Sequence, residues 1–311
     1  RGTGFLAPPS HAADYLFLVT TGTEQGIPMD HPIPLTSLQK ELWLSHLGLP
    51  DEHPGISCGG LFELTGVPDV GLIRTALGIL VRHFPLLSAT LRQGGDIFPT
   101  VEPGVWLEPD FSYQDLSDEP NPDQAAQKWL QNFVERPFSP MGGQLCRFAL
   151  LRLGAHKSLF VNRFFHIAGD GIVCITHFNV MARIYTDLLS GGPVSLGTTP
   201  DWLEDVRQDQ DHLASARAES DKDFWREHVA ALPTEPIFRP KLGRLDRIDT
   251  ISRLEYDLSD SMITRLRCCA AVNKAGISDV LMALHLLTLA RLYDRDRLTI
   301  QVPIRFGERR D

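Results

Sequence analysis

His166 closes an apolar, aromatic run interrupted by Asn162 and Arg163, and Asp170 and Gly171 follow it in the stretch FVNRFFHIAGDG. An imidazole titrates near neutrality, so one held at the end of a strand can take a proton from an attacking amine or hydroxyl, or orient that group. A carboxylate four residues on can brace the loop from behind, against backbone or a cation, and glycine suits the point where the chain turns into the next element. Spacing alone leaves two readings open, a working histidine and a satisfied structural one.

The flanking elements must place that ring. CRFALLRL and SLFVNRFF read as two strands joined by the short turn at 154–157, a hairpin feeding the motif. After Gly171 the spacing of Ile172, Ile175, Val180, Ile184 and Leu188, ending on Gly191 and Gly192, predicts a helix with a glycine stop. Upstream, residues 34–37 offer an N-cap for a helix through LQKELWLSHL. ISCGGLFELTG reads as a strand, and Pro68-Asp69 opens a helix with Val70, Ile73, Leu77, Leu80 and Phe84 on one stripe. DQAAQKWLQNFVE is a further amphipathic helix, and 201–232 is charged and helical. A Pro-rich stretch precedes a second lobe: strand TISRLEYDLS, helices SMITRLRCCAAV and GISDVLMALHLLTLARLY, strand RLTIQVPI. This order divides the chain into an N-terminal extension (1–33), an N-terminal lobe (34–232), a linker (233–247) and the beginning of a C-terminal lobe (248–311), an α/β (α+β) architecture of mixed sheet and helices.

Composition narrows the function. The 311 residues are 43% hydrophobic, enough for a large core. A formal net charge of -9 without a long basic run argues against nucleic acid. No apolar run reaches the ~18 to 20 residues that cross a bilayer, so no membrane partner is expected. Five cysteines without CxxC spacing read as reduced thiols of a cytoplasmic protein, not a zinc site or disulfide frame. The sequence opens on Arg1, as a piece of a longer protein would.

FHIAGDG resembles the HHxxxDG signature of condensation domains of nonribosomal peptide synthetases, members of the chloramphenicol-acetyltransferase-like acyltransferase superfamily. Further segments resemble that family's motifs in order: PLTSLQKELW, LVRHFPLLSATLR, SDKDFWREHV and LTIQVPIRFGER. The resemblance runs over roughly residues 32 to 311. It implies two similar lobes, of which 248–311 would be only the start of the second. It also implies amide formation between a carrier-bound acyl or peptidyl thioester and a carrier-bound aminoacyl amine. No cofactor of its own and no metal are implied; the substrates ride on phosphopantetheine arms. The partners would be donor and acceptor carrier domains and an adjacent adenylation domain. The alternatives are an ester-forming sibling and a condensation-like docking domain without chemistry.

By the same resemblance His166 is the catalytic histidine, Asp170 the structural aspartate that pairs with arginine, and Gly171 the residue that lets a substrate arm pass. Two departures stand out. Phe165 replaces the first histidine of the pair, and Leu87 or Ser88 occupies the place of the second motif's arginine, leaving Arg305 as the candidate cation for Asp170. Alternation along the strand predicts Phe165 buried beneath the following helix, with His166 turned to the cleft. Asp170 is expected to be a buried acceptor. His177 is expected to be a packed side chain, His285 a core or lobe-interface histidine, Trp43 and Trp225 packing anchors, and Arg309 and Arg310 a solvated pair.

Overall fold

The computed structural model describes residues 32–50, 53–197, 201–233, 256–300 and 302. By contacts the chain divides into two compact units, Arg1–Ser215 and Ala216–Asp311. The sequence reading carries the first lobe to 232, whereas this division assigns the helix after Ser215 to the second unit.

In the first unit, β1 (Ile33–Pro34), β4 (Thr100–Glu102) and β3 (Thr90–Arg92) form a small antiparallel sheet in the order β1-β4-β3. The larger sheet runs β2-β7-β6-β5, built from β2 (Ser57–Thr65), β5 (Phe111–Asp115), β6 (Cys146–Arg152) and β7 (Lys157–Phe165). β7 pairs antiparallel with β2 and β6, and β5 joins β6 in parallel. The hairpin and the strand at 57–65 are thus where the sequence predicts them, but β1, β3, β4 and β5 are short strands that it does not show.

The helices follow their caps. In α1 (Ser37–Leu47) Thr36 caps the first turn in a capping box with Gln39. Asp69 caps α2 (Val70–His83), and Asn121 caps α3 (Pro122–Glu135), which has proline in its first turn. Asp170 caps α4 (Gly171–Leu189) and Asp201 caps α5 (Trp202–Leu213).

The two faces of β7 serve different cores. Phe160 and Phe164 join Phe148 and Leu150 of β6 under α2 and α4, where Leu77, Leu80, Met181 and Ile184 fill the layer. On the opposite face Val161 packs with Phe133 of α3 and Ala149. Phe165 enters a third cluster with Trp43, Phe138, Leu145 and Ile167.

The buried stripe of α4 is Cys174, His177, Met181, Ile184 and Leu188. Ile172 and Ile175, expected on the inner face, are about half exposed at 50% and 56%. The helix is rotated from the apolar count because a histidine and a cysteine occupy core positions.

The second unit contains α6 (Ala216–Ala230), α7 (Asp260–Val272) and α8 (Ile277–Tyr293). Both helices expected after the linker are present. The strand expected over 250–259 falls mostly outside the described residues, as does most of the linker. Residues 297–300 are not a strand, because no neighbouring strand pairs with them among the described residues. Trp225 and His285, expected to be packed, are exposed; the ring of Trp225 lies beside those of Phe224 and His228 of its own helix.

Candidate functional site

His166 begins a single 3-10 turn, His166–Ala168, between β7 and α4. Its backbone N–H donates to the carbonyl of Ile56 at 2.9 Å, beside the start of β2. The Ile167 carbonyl accepts from Gln39 Nε2 at 2.9 Å, a buried bond from α1. The Gly169 N–H turns back to the His166 carbonyl at 3.4 Å, and the Gly169 carbonyl accepts from the Cys58 thiol at 3.1 Å. Asp170 Oδ1 then accepts from the Val173 N–H at 2.9 Å, and the Asp170 carbonyl takes the Cys174 N–H at 3.1 Å. The outcome is a half-buried imidazole on a loop tied to α1, β2 and α4 along its length, the preorganisation that a proton-handling group needs.

Gln39 is a supporting residue that reading by type did not single out. Its Oε1 accepts from the Thr36 N–H at 3.0 Å, completing the capping box, while its Nε2 holds Ile167. One side-chain amide therefore starts α1 and braces the histidine loop. The signal was present in Thr36-x-x-Gln39, the capping-box spacing.

Asn162 and Arg163, the polar residues of β7 nearest the histidine, are both buried and both act as ties. Asn162 Nδ2 donates to the Cys174 carbonyl in the first turn of α4, and its Oδ1 accepts from the Gly60 N–H of β2, each at 2.8 Å. A Cβ on Gly60 would meet Asn162 Oδ1 at 3.0 Å and the Phe62 ring at 2.6 Å, so glycine is needed for this approach. On the other face Arg163 donates to the carbonyls of Phe133, Arg136 and Pro54 and to Ser57 Oγ. Its guanidinium lies 4.7 Å from the centre of the Phe138 ring, which Arg147 also covers, at 4.4 Å. Arg147 is paired with Asp110 at 3.3 Å. Burial, with Arg147 and Arg136 nearby, pulls Arg163 down to about 10, which still leaves it charged at neutral pH.

Phe165 is buried as expected, but not beneath the following helix. It packs edge-on to His46 of α1 with ring centroids 5.0 Å apart, and against Phe138 at 5.9 Å. Phe164 is the residue that lies under α4, edge-on to His177 at 5.4 Å. Alternation along β7 is obeyed, and it is the side of the sheet covered by α4 that differs from the expectation. Phe165 is 1% exposed within the cluster it shares with Leu145 and Ile167.

Asp170 is exposed, contrary to the expected buried acceptor, and its carboxylate caps α4. It makes no ion pair among the described residues, and Arg305, Arg309 and Arg310 lie outside them. Gly171 borders open space, because a Cβ there would meet no atom within 4 Å. Gly169 is confined, with Val173 Cγ1 2.6 Å from the position of a Cβ. His177 is packed between Phe84 and Phe164, and burial, with His83 beside it, lowers its pKa to about 4. Trp43 is the anchor expected of it, buried with its Nε1 donating to the Ile97 carbonyl at 2.8 Å. Among the described residues no cluster of three or more His, Cys, Asp or Glu side chains is placed to hold a metal ion.

A fold of this kind, with a histidine turn between the central hairpin and a long helix, defines the chain's class. The family model for the condensation domain matches residues 29–309, and the chain belongs to that family. It is similar to surfactin synthase subunit 1 of Bacillus subtilis, 23% identical over 83% of this chain and 7% of that protein. It is also similar to the isonitrile lipopeptide synthase of Streptomyces coeruleorubidus, 27% identical over 87% of this chain and 18% of that one. The chain thus spans less than a fifth of either relative.

Among solved structures, the starter condensation domain of rhizomide synthetase superposes with a TM-score of 0.58 at 23% identity, covering 67% of this chain and 50% of that one. The first condensation domain of the calcium-dependent antibiotic synthetase gives 0.59 at 24%, covering 65% and 48%. These likenesses establish the chloramphenicol-acetyltransferase-like fold expected from the sequence.

Proposed function

We propose that the chain forms amide bonds as part of a nonribosomal peptide synthetase, joining an acyl or peptidyl thioester to the amine of an aminoacyl thioester. The attacking nitrogen adds to the thioester carbonyl, the C–S bond breaks as the C–N bond is completed, and the amine proton ends on the departing thiol. His166 takes or orients that proton. Phosphopantetheine arms of a donor and an acceptor carrier domain bring the two thioesters, and an adenylation domain loads the acceptor. Gly171 leaves room for an arm to run close to the backbone, and the setting is the cytoplasm.

The observation that supports this most is the placement of the His166 ring on a loop held by Gln39, Ile56, Cys58 and the cap of α4, with Phe165 turned away into the core. The docking alternative loses its main support with Phe165 so placed, since that side chain does not stand over the histidine.

The test is product formation by the full-length protein with its carriers loaded, read by mass spectrometry. His166→Ala should lower the rate by on the order of a hundredfold or more while leaving the melting temperature unchanged, the scale of a positioned acid–base group. Turnover close to that of the unaltered protein overturns the reading. An amine acceptor and its hydroxy analogue, run side by side, separate amide from ester formation.

A further inference from the structure

Two cysteines from distant parts of the sequence meet directly under the histidine loop. Cys58 lies on β2, opposite Phe164 of β7, and so faces α4; Cys174 sits in the first turn of α4 on its buried stripe. Their sulfurs are 3.8 Å apart, and the Cys58 sulfur is also 3.1 Å from the Gly169 carbonyl. Cys58 is half-buried and Cys174 buried; of the other thiols, Cys146 turns to the Leu87 carbonyl, and Cys268 and Cys269 are exposed on α7.

We propose that Cys58 and Cys174 form a reversible disulfide that responds to peroxide and acts on the loop carrying His166. In the reaction one thiolate attacks hydrogen peroxide, breaking the O–O bond to give a sulfenic acid and water once a proton is taken up. The second sulfur displaces the hydroxyl from the sulfenic sulfur, releasing a second water. Two thiols and one peroxide thus become one disulfide and two waters, with the sulfurs oxidised and the peroxide oxygens reduced.

The geometry requires a modest movement. The sulfurs must close from 3.8 Å to about 2.05 Å, which the first turn of α4 or the rim of β2 can supply. The mutual hydrogen bond, burial and the charge of Asp170 raise the Cys58 thiol, and the same contact lowers Cys174, so the two thiols titrate as a pair. Oxidation removes the Cys58 proton, and the Gly169 carbonyl loses its donor. A thiol latch on the loop is exchanged for a covalent tie one turn further along α4.

The experiment is a disulfide map. The reduced protein is treated with hydrogen peroxide, remaining thiols are alkylated in denaturant, and the peptides are analysed without reductant. The expected result is a linked pair joining the peptides of Cys58 and Cys174, two hydrogens lighter than the free thiols, which disappears on treatment with dithiothreitol and is absent in Cys58→Ser. Recovery of the two cysteines as separate alkylated or sulfinic peptides, or disulfides running only through Cys268 and Cys269, overturns the proposal. Because the readout is the linkage itself, the outcome does not depend on whether the chain forms amides.

Discussion

The two faces of β7 hold the same loop by opposite means. Toward α4 the ties are neutral: the Asn162 amide bridges Gly60 and the Cys174 carbonyl, and the nearby His177 is kept uncharged by burial. Toward α3 the tie is a buried cation, Arg163, surrounded by carbonyls and an aromatic ring and without a carboxylate of its own among the described residues. A buried guanidinium is tolerated when its donors are satisfied, and here the carbonyls of Pro54, Phe133 and Arg136 and the Ser57 hydroxyl do so. The face toward α4 should therefore respond to acid, and the face toward α3 should respond to loss of the side chain.

The largest effect is expected at Arg163. Arg163→Leu leaves the Phe133 and Pro54 carbonyls without this donor, while the Arg136 carbonyl keeps the one from Arg147 at 2.9 Å, and orphaned acceptors cost about 1–3 kcal/mol each. A loss of roughly 3 kcal/mol or more should appear as a lower urea midpoint. A cost below about 1 kcal/mol would mean that water reaches these carbonyls and that the two faces are held alike.

Acid tests the other face. The pKa of His177 is about 4 in the folded chain against an ordinary 6.5, so as pH falls through 6.5 the unfolded chain takes up a proton that the folded one refuses. Stability is then lost between pH 6.5 and about 4 and levels off below, by on the order of 3 kcal/mol at most. His177→Phe should flatten this slope in urea titrations at a series of pH values. Burial also holds His83 and His46 down, so a shallower slope should remain. An unchanged slope would move the acid sensitivity away from α4.

How much of this was legible differs by position. Caps and alternation were: Asp69, the strand at 57–65, the hairpin, and the helix after Gly171 all follow from local rules that act within a few residues. The apolar stripe of α4 was not, because its inner row contains Cys174 and His177 while Ile172 and Ile175 face outward, and only tertiary packing decides that a histidine is core. The roles of Asn162 and Arg163 were hidden for a related reason: in a strand, a polar residue reads as solvent-facing unless the groups that satisfy it, here from residues 54–60, 133–136 and 174, are known. His166, Asp170 and Gly171 lie together because they adjoin in sequence. The supports of their loop come from Gln39, Ile56 and Cys58, more than a hundred residues earlier, and spacing cannot show them.

The smallest effect concerns Asp170, and it sharpens the comparison because this residue sits where the two faces meet. As an exposed N-cap it accepts the Val173 N–H, so Asp170→Ala should lower stability by about 1 kcal/mol, a typical cost for a lost cap. Asparagine caps nearly as well as aspartate, so Asp170→Asn should cost only a few tenths of a kcal/mol. If product formation is also retained in the Asn variant, the carboxylate works only on the helix. If the Asn variant keeps its melting temperature but loses activity, the charge itself is used, by a cation or a substrate group approaching the open side of Gly171. Melting curves and turnover on the two variants together separate these roles, since a cap depends only weakly on the charge and an ion pair depends on it throughout.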